Sequence, residues 1–207
     1  MKKNRLITFG CSYTYGQGLP DCKNIPIINL HSLNPSQMGW PTLVSNYLDL
    51  DLVNMSHPGS SNFEILYSIL EFNFQPNDTV VIMWSHYLRD LFFTRWFKSL
   101  IFRRRLGLWK KTTIARRWID QMSERDYAMK TWIYMHHAGL HLENLNLKYI
   151  HYPAAPDELE AYPSIVKLKN LYTHGIIFVD KSLDNIHPGI QSQKIMADEI
   201  YKILNED

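Results

Sequence analysis

The sequence predicts an α/β protein in which a mostly parallel sheet is covered by helices on both faces. Short apolar segments typical of strands alternate along the chain with segments whose apolar residues recur at helical spacing. One segment, Thr79–Trp84, is an uninterrupted apolar run rich in β-branched residues, the pattern of a central parallel strand buried on both faces. The chain has 207 residues, enough for one full core but too few for two, so residues 1–207 are expected to form a single domain.

Five strands can be placed on the sequence, with helices between them and at the C-terminus. The predicted strands are Arg5–Phe9, Asp51–Asn54, Thr79–Trp84, Leu147–His151 and Ile176–Val179. The long interval from about 91 to 144 is predicted to be a helical insertion after the central strand, in which Gly107 and Gly139 are the candidate breaks.

The composition is that of an ordinary folded protein, because 45% of the residues are hydrophobic and 20% are charged. No apolar stretch approaches the roughly 18 residues that a membrane span requires. The N-terminal MKKNR leads directly into a predicted strand, without the apolar region of a secretion signal. Cys11 and Cys22 are too few for a disulfide framework and lack the spacing of a zinc site. These features predict a cytoplasmic protein.

The predicted insertion is strongly basic although the net charge of the whole chain is only +2. Between Leu91 and Ile119 there are nine Lys and Arg residues, interleaved with aromatic residues, and no Asp or Glu. Three interpretations are open: a solvated face packed on its aromatic side, a lid or oligomer contact over a functional site, or a surface for a membrane or polyanion. We expect this segment to influence the choice of substrate.

Two polar motifs follow the first and last predicted strands, where the functional loops of a parallel sheet gather. Ser12 comes just after Gly10 at a strand-to-helix turn, which can expose its hydroxyl as a nucleophile. Asp184 precedes His187 by three residues, a spacing that lets the carboxylate orient the imidazole as a base. The alternatives are a simple turn serine, a turn aspartate and an exposed histidine. The order of the two motifs around one sheet edge favours the functional interpretation.

A third motif follows the second predicted strand. Gly59 lies in the turn-forming segment from Pro58 to Asn62, where a glycine lets the backbone approach a substrate and donate an N–H to an oxyanion. The alternative is an ordinary helix start with Ser60 or Ser61 as its N-cap.

These three motifs resemble the conserved blocks of the SGNH/GDSL hydrolases. GCSYTYG is similar to block I, NMSHPGSSN to the glycine-bearing block II, and DNIHPG to the DxxHP block V, in the same order and over nearly the whole chain apart from the basic insertion. The resemblance implies a flavodoxin-like three-layer α/β/α sandwich and ester hydrolysis through an acyl-enzyme. It implies Ser12 as nucleophile, His187 as base and Asp184 as its orienting partner. The backbone N–H groups of Ser12 and Gly59 would then form the oxyanion hole.

The sequence departs from the family pattern at two places. Cys11 stands where the family has Asp before the nucleophile. After the central strand the family has Gly-x-Asn-Asp, whose Asn is a third oxyanion donor, whereas this chain has WSHYLRD. The candidates to replace that Asn are Ser85, His86 and Arg89, or Asn62 reaching in from block II. His86 and Arg89 are also candidate substrate-binding residues.

Two further candidates have simpler explanations. Cys11 could be a thiol nucleophile, but beside an exposed Ser12 it is expected to be buried and structural. His137 and His141 form an i, i+4 pair near His136 that could bind a metal, but no third ligand of matching spacing is visible. We expect packing or surface histidines there, and neither a metal nor an organic cofactor.

The function expected from these observations is hydrolysis of an ester, and the expected substrate is a small acyl ester of a carbohydrate. A lipid ester or a thioester is the alternative substrate. A different class of function is a catalytically weakened module that binds a polyanion such as nucleic acid, which is the less expected partner.

Overall fold

The computed structural model describes residues 3–22, 34–96, 100–106, 123–157, 161–162, 168–173, 176 and 178–206. The strands are β1 (Arg5–Phe9), β2 (Asp51–Asn54), β3 (Thr79–Trp84), β4 (Asp90–Trp96), β5 (Leu100–Leu106) and β6 (Lys148–Pro153). The helices are α1 (Ser12–Tyr15), α2 (Trp40–Tyr47), α3 (Asn62–Glu71), α4 (Glu124–Asn144) and α5 (Ile190–Glu206). No helix among these described residues is long and apolar enough to cross a membrane.

A parallel sheet forms the centre of the fold, with its strands in the order β2-β1-β3-β6. β1 and β3 are therefore the inner strands, and their register places Phe9 opposite Ile82. Every residue of β3 from Val80 to Trp84 is buried, as the continuous apolar run predicts.

Two hydrophobic clusters cover the two faces of this sheet. Ile7, Phe9 and Ile82 face the layer made by α3 and α4. Leu6 and Val81 alternate with them and face the layer made by α2 and α5. Because successive residues of a strand point to opposite faces, the buried alternation builds the predicted three-layer α/β/α sandwich.

Among the described residues, the parallel sheet has four strands where five were expected. Residues 176, 178 and 179 of the predicted last strand are not in a strand, and Phe178 and Val179 are exposed. The chain instead meets the edge of β6 through a single parallel bridge between Leu171 and His151. Asn170 has a φ of 53°, a left-handed conformation that interrupts the extended backbone just before the bridge.

The first part of the basic insertion is a β-ribbon, so the helical prediction was wrong there. β4 and β5 pair antiparallel, with Phe93 opposite Arg103. Both strands contain aromatic residues, which favour strands over helices. Residues 107–122, with the candidate break at Gly107, lie outside the described residues.

The helical prediction holds from Glu124 onward, where α4 begins with a Ser123 capping box. Gly139 does not break α4. A Cβ at this position would lie 3.1 Å from the Tyr149 hydroxyl and 3.3 Å from Nε2 of His151, so the glycine allows α4 to pack closely on β6.

Candidate active site

The turn after β1 presents Ser12 at the carboxyl edge of the sheet. Gly10 is in such close contact with Thr14 that a Cβ there would collide with the threonine hydroxyl. The turn is closed by a hydrogen bond from Tyr15 N to Cys11 O (3.0 Å), and it ends at Gly16 with a φ of 74°. The Cys11 side chain is fully buried in the core. Ser12 lies in this turn at the sheet edge and is 3% exposed.

The turn before α5 holds Asp184 and His187 together. Oδ2 of Asp184 lies 2.6 Å from Nδ1 of His187. Its other oxygen, Oδ1, accepts hydrogen bonds from the Ser182 hydroxyl (2.7 Å) and from the backbone N–H groups of Ile186 (2.9 Å) and His187 (3.0 Å). Asn185 adopts the left-handed conformation that the tight turn requires, with a φ of 58°.

These hydrogen bonds fix the ionisation of Asp184. Burial alone raises the pKa of a carboxyl group, but the hydrogen bonds from Ser182, Ile186 and His187 outweigh burial and lower the pKa of Asp184 to about 2. An ionised Asp184 accepts a proton-bearing Nδ1, so a neutral His187 keeps the lone pair on Nε2. The pair is arranged as an oriented imidazole base.

The Ser12 turn and the Asp184 turn are in direct contact. The Tyr13 ring, next to Ser12, lies edge-on to the His187 ring with 5.7 Å between the centroids. Leu183 N donates to Gly18 O (3.0 Å), and Gly18 has a φ of 84°. A Cβ on Gly18 would lie 2.7 Å from Oδ2 of Asp184, so only glycine fits beside the carboxylate.

The loop after β2 runs along the other side of the Ser12 turn. Met55 N donates to Thr8 O (2.8 Å), and His57 N donates to Gly10 O (3.2 Å). Gly59 follows in the left-handed conformation, with a φ of 76°. The glycine of this loop is therefore on the same sheet edge as Ser12.

Asn62 ties the loop after β2 to the loop after β3. Its side-chain NH₂ donates to Ser85 O (3.0 Å) and to the Thr131 hydroxyl (3.1 Å), while its Oδ1 accepts from Ser85 N (2.7 Å). Asn62 is 1% exposed. Both amide hydrogens are used inside the protein, so this side chain clamps the Ser85 backbone.

The remaining candidates of the loop after β3 differ in their accessibility. The Ser85 hydroxyl is fully enclosed, as are Nε and Nη1 of Arg89. His86 is half-buried, and its ring lies 6.3 Å from the Tyr13 ring, centroid to centroid. His86 is thus in the same aromatic group as His187.

The candidate metal ligands lie elsewhere, on α4. On this helix, His137 is exposed, and His136 and His141 are half-buried. In the described part of the chain, no group of three or more His, Cys, Asp or Glu side chains is arranged to hold a metal ion.

Three residues that support the site were missed in the sequence. Gly18 lies beside Asp184, and the Tyr13 ring lies beside His187. A glycine in a turn-rich segment of the sequence does not indicate which distant residue it will contact. Gln193 of α5 is buried, accepts from Trp40 N (2.8 Å) and donates to Tyr13 O (3.2 Å). A buried glutamine among polar helix positions has no pattern that could reveal it.

No protein-family model matches the sequence, and no curated protein matches it. Solved structures do match the fold. A carbohydrate esterase whose active site displays divergent catalytic and non-catalytic binding functions has a TM-score of 0.55 at 16% identity, with 100% of this chain and 66% of that chain covered. The psychrotrophic esterase EstA from Pseudoalteromonas sp. has a TM-score of 0.53 at 14% identity, with 98% and 97% covered.

A G-D-S-L family protein from Desulfitobacterium hafniense DCB-2 has a TM-score of 0.50 at 10% identity, with 97% of this chain and 99% of that chain covered. These likenesses define the class of fold, a three-layer α/β/α sandwich built on a parallel sheet. The fold is that of the SGNH/GDSL hydrolases, so the resemblance seen in the sequence motifs is confirmed at the level of the fold.

Proposed function

We propose that the protein is a serine hydrolase that cleaves an ester, with Ser12 as nucleophile, His187 as general base and Asp184 as its orienting partner. The observation that carries the proposal is the Asp184–His187 pair, held at 2.6 Å and packed through Tyr13 against the turn that presents Ser12. The fold shared with esterases supports the same reaction class.

In the proposed reaction, Nε2 of His187 takes the hydroxyl proton of Ser12 while Oγ bonds to the carbonyl carbon of the ester. The carbonyl π electrons move to the oxygen and form an oxyanion, which the backbone N–H groups of Ser12 and Gly59 stabilise. The C–O bond to the alcohol then breaks, and the alcohol leaves with the proton from His187. Water repeats the sequence on the acyl-Ser12 ester and releases the carboxylic acid.

For the substrate we propose a small acyl ester of a carbohydrate. One structure of similar fold is a carbohydrate esterase, and this likeness is what supports the choice. A lipid ester or thioester is the alternative, because the insertion after β3 contains many aromatic residues.

The test is hydrolysis of activated esters of increasing acyl chain length by the wild type, Ser12→Ala and a control, Ser68→Ala. Ser68 lies half-buried in α3, away from the sheet edge. We expect Ser12→Ala to lose essentially all activity and Ser68→Ala to keep it, with the fastest turnover on acetyl esters. Equal rates for the wild type and Ser12→Ala would contradict the assignment of Ser12.

The basic segment leaves the polyanion-binding module as a second candidate function. The nine cations between Leu91 and Ile119, with no acidic residue among them, would attract an anionic polymer strongly. Salt-sensitive binding to single-stranded DNA that survives Ser12→Ala, in a protein without esterase activity, would favour this candidate over the hydrolase.

A further inference from the structure

The loop after β3 lies beside the loop after β1 because these strands are parallel neighbours. Their register pairs Phe9 with Ile82, and the close packing continues beyond it, since a Cβ on Gly10 would lie 3.1 Å from Met83 O. Two residues further along each chain come Ser12 and Ser85. The residue after Ser85 therefore emerges next to the turn that presents the candidate nucleophile.

The backbone that carries His86 is firmly anchored. Asn62 holds both the N–H and the C=O of Ser85, and Thr131 of α4 holds the Asn62 amide. On the other side, Arg89 N donates to His86 O (3.1 Å) and closes the turn. A side chain on an anchored backbone can be positioned for catalysis without a large entropic cost.

The His86 ring contacts the aromatic ring that lies beside the candidate active site. It lies 6.3 Å from the Tyr13 ring at an interplanar angle of 81°, and the same Tyr13 ring lies 5.7 Å from His187 at 83°. Two imidazoles thus flank one aromatic ring next to Ser12. His187 is paired with Asp184.

The side chain of Asn62 is occupied, that of Ser85 is enclosed, and that of Arg89 is enclosed at Nε and Nη1. Both amide hydrogens of Asn62 are bonded within the protein. The Ser85 hydroxyl and the Arg89 nitrogens Nε and Nη1 have almost no accessible surface, so a substrate oxygen cannot reach them. His86 is only half-buried, so part of this side chain stays accessible.

We infer that His86 is a catalytic residue that donates a hydrogen bond from its imidazole N–H to the oxyanion formed during ester hydrolysis. This inference rests on the proposed function. It assigns to an imidazole the place that a side-chain amide has in related hydrolases, beside the backbone donors Ser12 N and Gly59 N. The donor acts on negative charge that develops only in the transition state, so its loss lowers kcat and leaves KM nearly unchanged.

The experiment compares the ester kinetics of the wild type, His86→Ala, His86→Asn and the control His137→Ala, an exposed histidine on α4. Removing one oxyanion donor typically lowers kcat by about 10²–10³-fold, and we expect that loss for His86→Ala with KM changed by less than about threefold. His86→Asn restores an N–H donor and is expected to recover at least about tenfold of the loss, and His137→Ala to match the wild type.

Thermal unfolding of each variant separates a local effect from misfolding, and recovery of activity by His86→Asn supports the inference even if His86→Ala is destabilised. A kcat of His86→Ala within twofold of the wild type, or a raised KM with kcat unchanged, would overturn the role of His86 while leaving the Ser12 hydrolase intact. A wild-type protein without any Ser12-dependent turnover would overturn both the role of His86 and the proposed Ser12 hydrolase.

Discussion

Asp184 shows how single residues set the chemistry of the candidate site. Its two carboxylate oxygens accept four hydrogen bonds from Ser182, Ile186 and His187, all within the segment from 182 to 187. The Asp-x-x-His spacing in the sequence predicts the pairing with His187. The contribution of Ser182 could not be predicted, because it depends on the left-handed conformation at Asn185 that brings the turn back on itself.

The lowered pKa of Asp184 predicts a specific dependence of stability on pH. Because the folded-state pKa is about 2 and the ordinary value is 3.8, ionised Asp184 stabilises the fold above 3.8, and this contribution disappears as the pH falls through about 2. The difference corresponds to roughly 2 kcal/mol of the free energy of unfolding. Urea unfolding over this pH range should show a smaller loss for Asp184→Asn than for the wild type, by about that amount.

Asp49→Asn is the control for this measurement, since it removes the same charge from a side chain that is 93% exposed. An acid-induced loss that is the same in the wild type and in Asp184→Asn would show that the Asp184 turn does not stabilise the fold through its charge.

At the scale of elements, the candidate site is formed where the loops after β1, β2 and β3 contact the turn before α5. The strands that place these loops were predictable, because Arg5–Phe9, Asp51–Asn54 and Thr79–Trp84 have the same bounds in the structure as those expected from the sequence. The ribbon of β4 and β5 was not predicted, because the aromatic residues of this segment favour a strand only where a partner strand pairs with it.

Gly18 provides a test of how these elements pack. Its φ is 84°, and a Cβ added at this position would lie only 2.5 Å from Ser182 Oγ and 2.7 Å from Asp184 Oδ2, which leaves no space for a side chain. We expect Gly18→Ala to cost about 1–3 kcal/mol of stability and to reduce ester turnover, because it pushes Asp184 away from His187. Chemical unfolding and kinetics on the same preparation measure both effects.

Gly39→Ala is the matched control for Gly18→Ala. Gly39 has a φ of −77°, and a Cβ there would meet its nearest neighbour at 3.4 Å, an ordinary contact. This variant should keep its ester turnover and lose less stability than Gly18→Ala. Wild-type turnover in Gly18→Ala would mean that the contact between Gly18 and the Asp184 turn is not needed to hold the base.

At the scale of the whole molecule, the alternation of apolar segments was sufficient to predict a parallel α/β/α sandwich, and the motifs pointed to a particular class of that fold. The number of strands was not predictable, because a short apolar segment such as Ile176–Val179 has the composition of a strand, and composition does not show whether a neighbouring strand pairs with it. The long-range supports of the site, Gln193 to Tyr13 and Asn62 to Ser85, bring together residues far apart in the sequence. No local pattern indicates such pairs.

The central claim is that Ser12, activated by His187, is the nucleophile of a hydrolase. The most direct measurement is mass spectrometry of the intact protein and its peptides after reaction with a fluorophosphonate probe. We predict one covalent adduct, on Ser12, in the wild type, a strongly slowed reaction in His187→Ala, and none in Ser12→Ala. An unlabelled wild type, or an adduct on another residue that persists in Ser12→Ala, would contradict the claim.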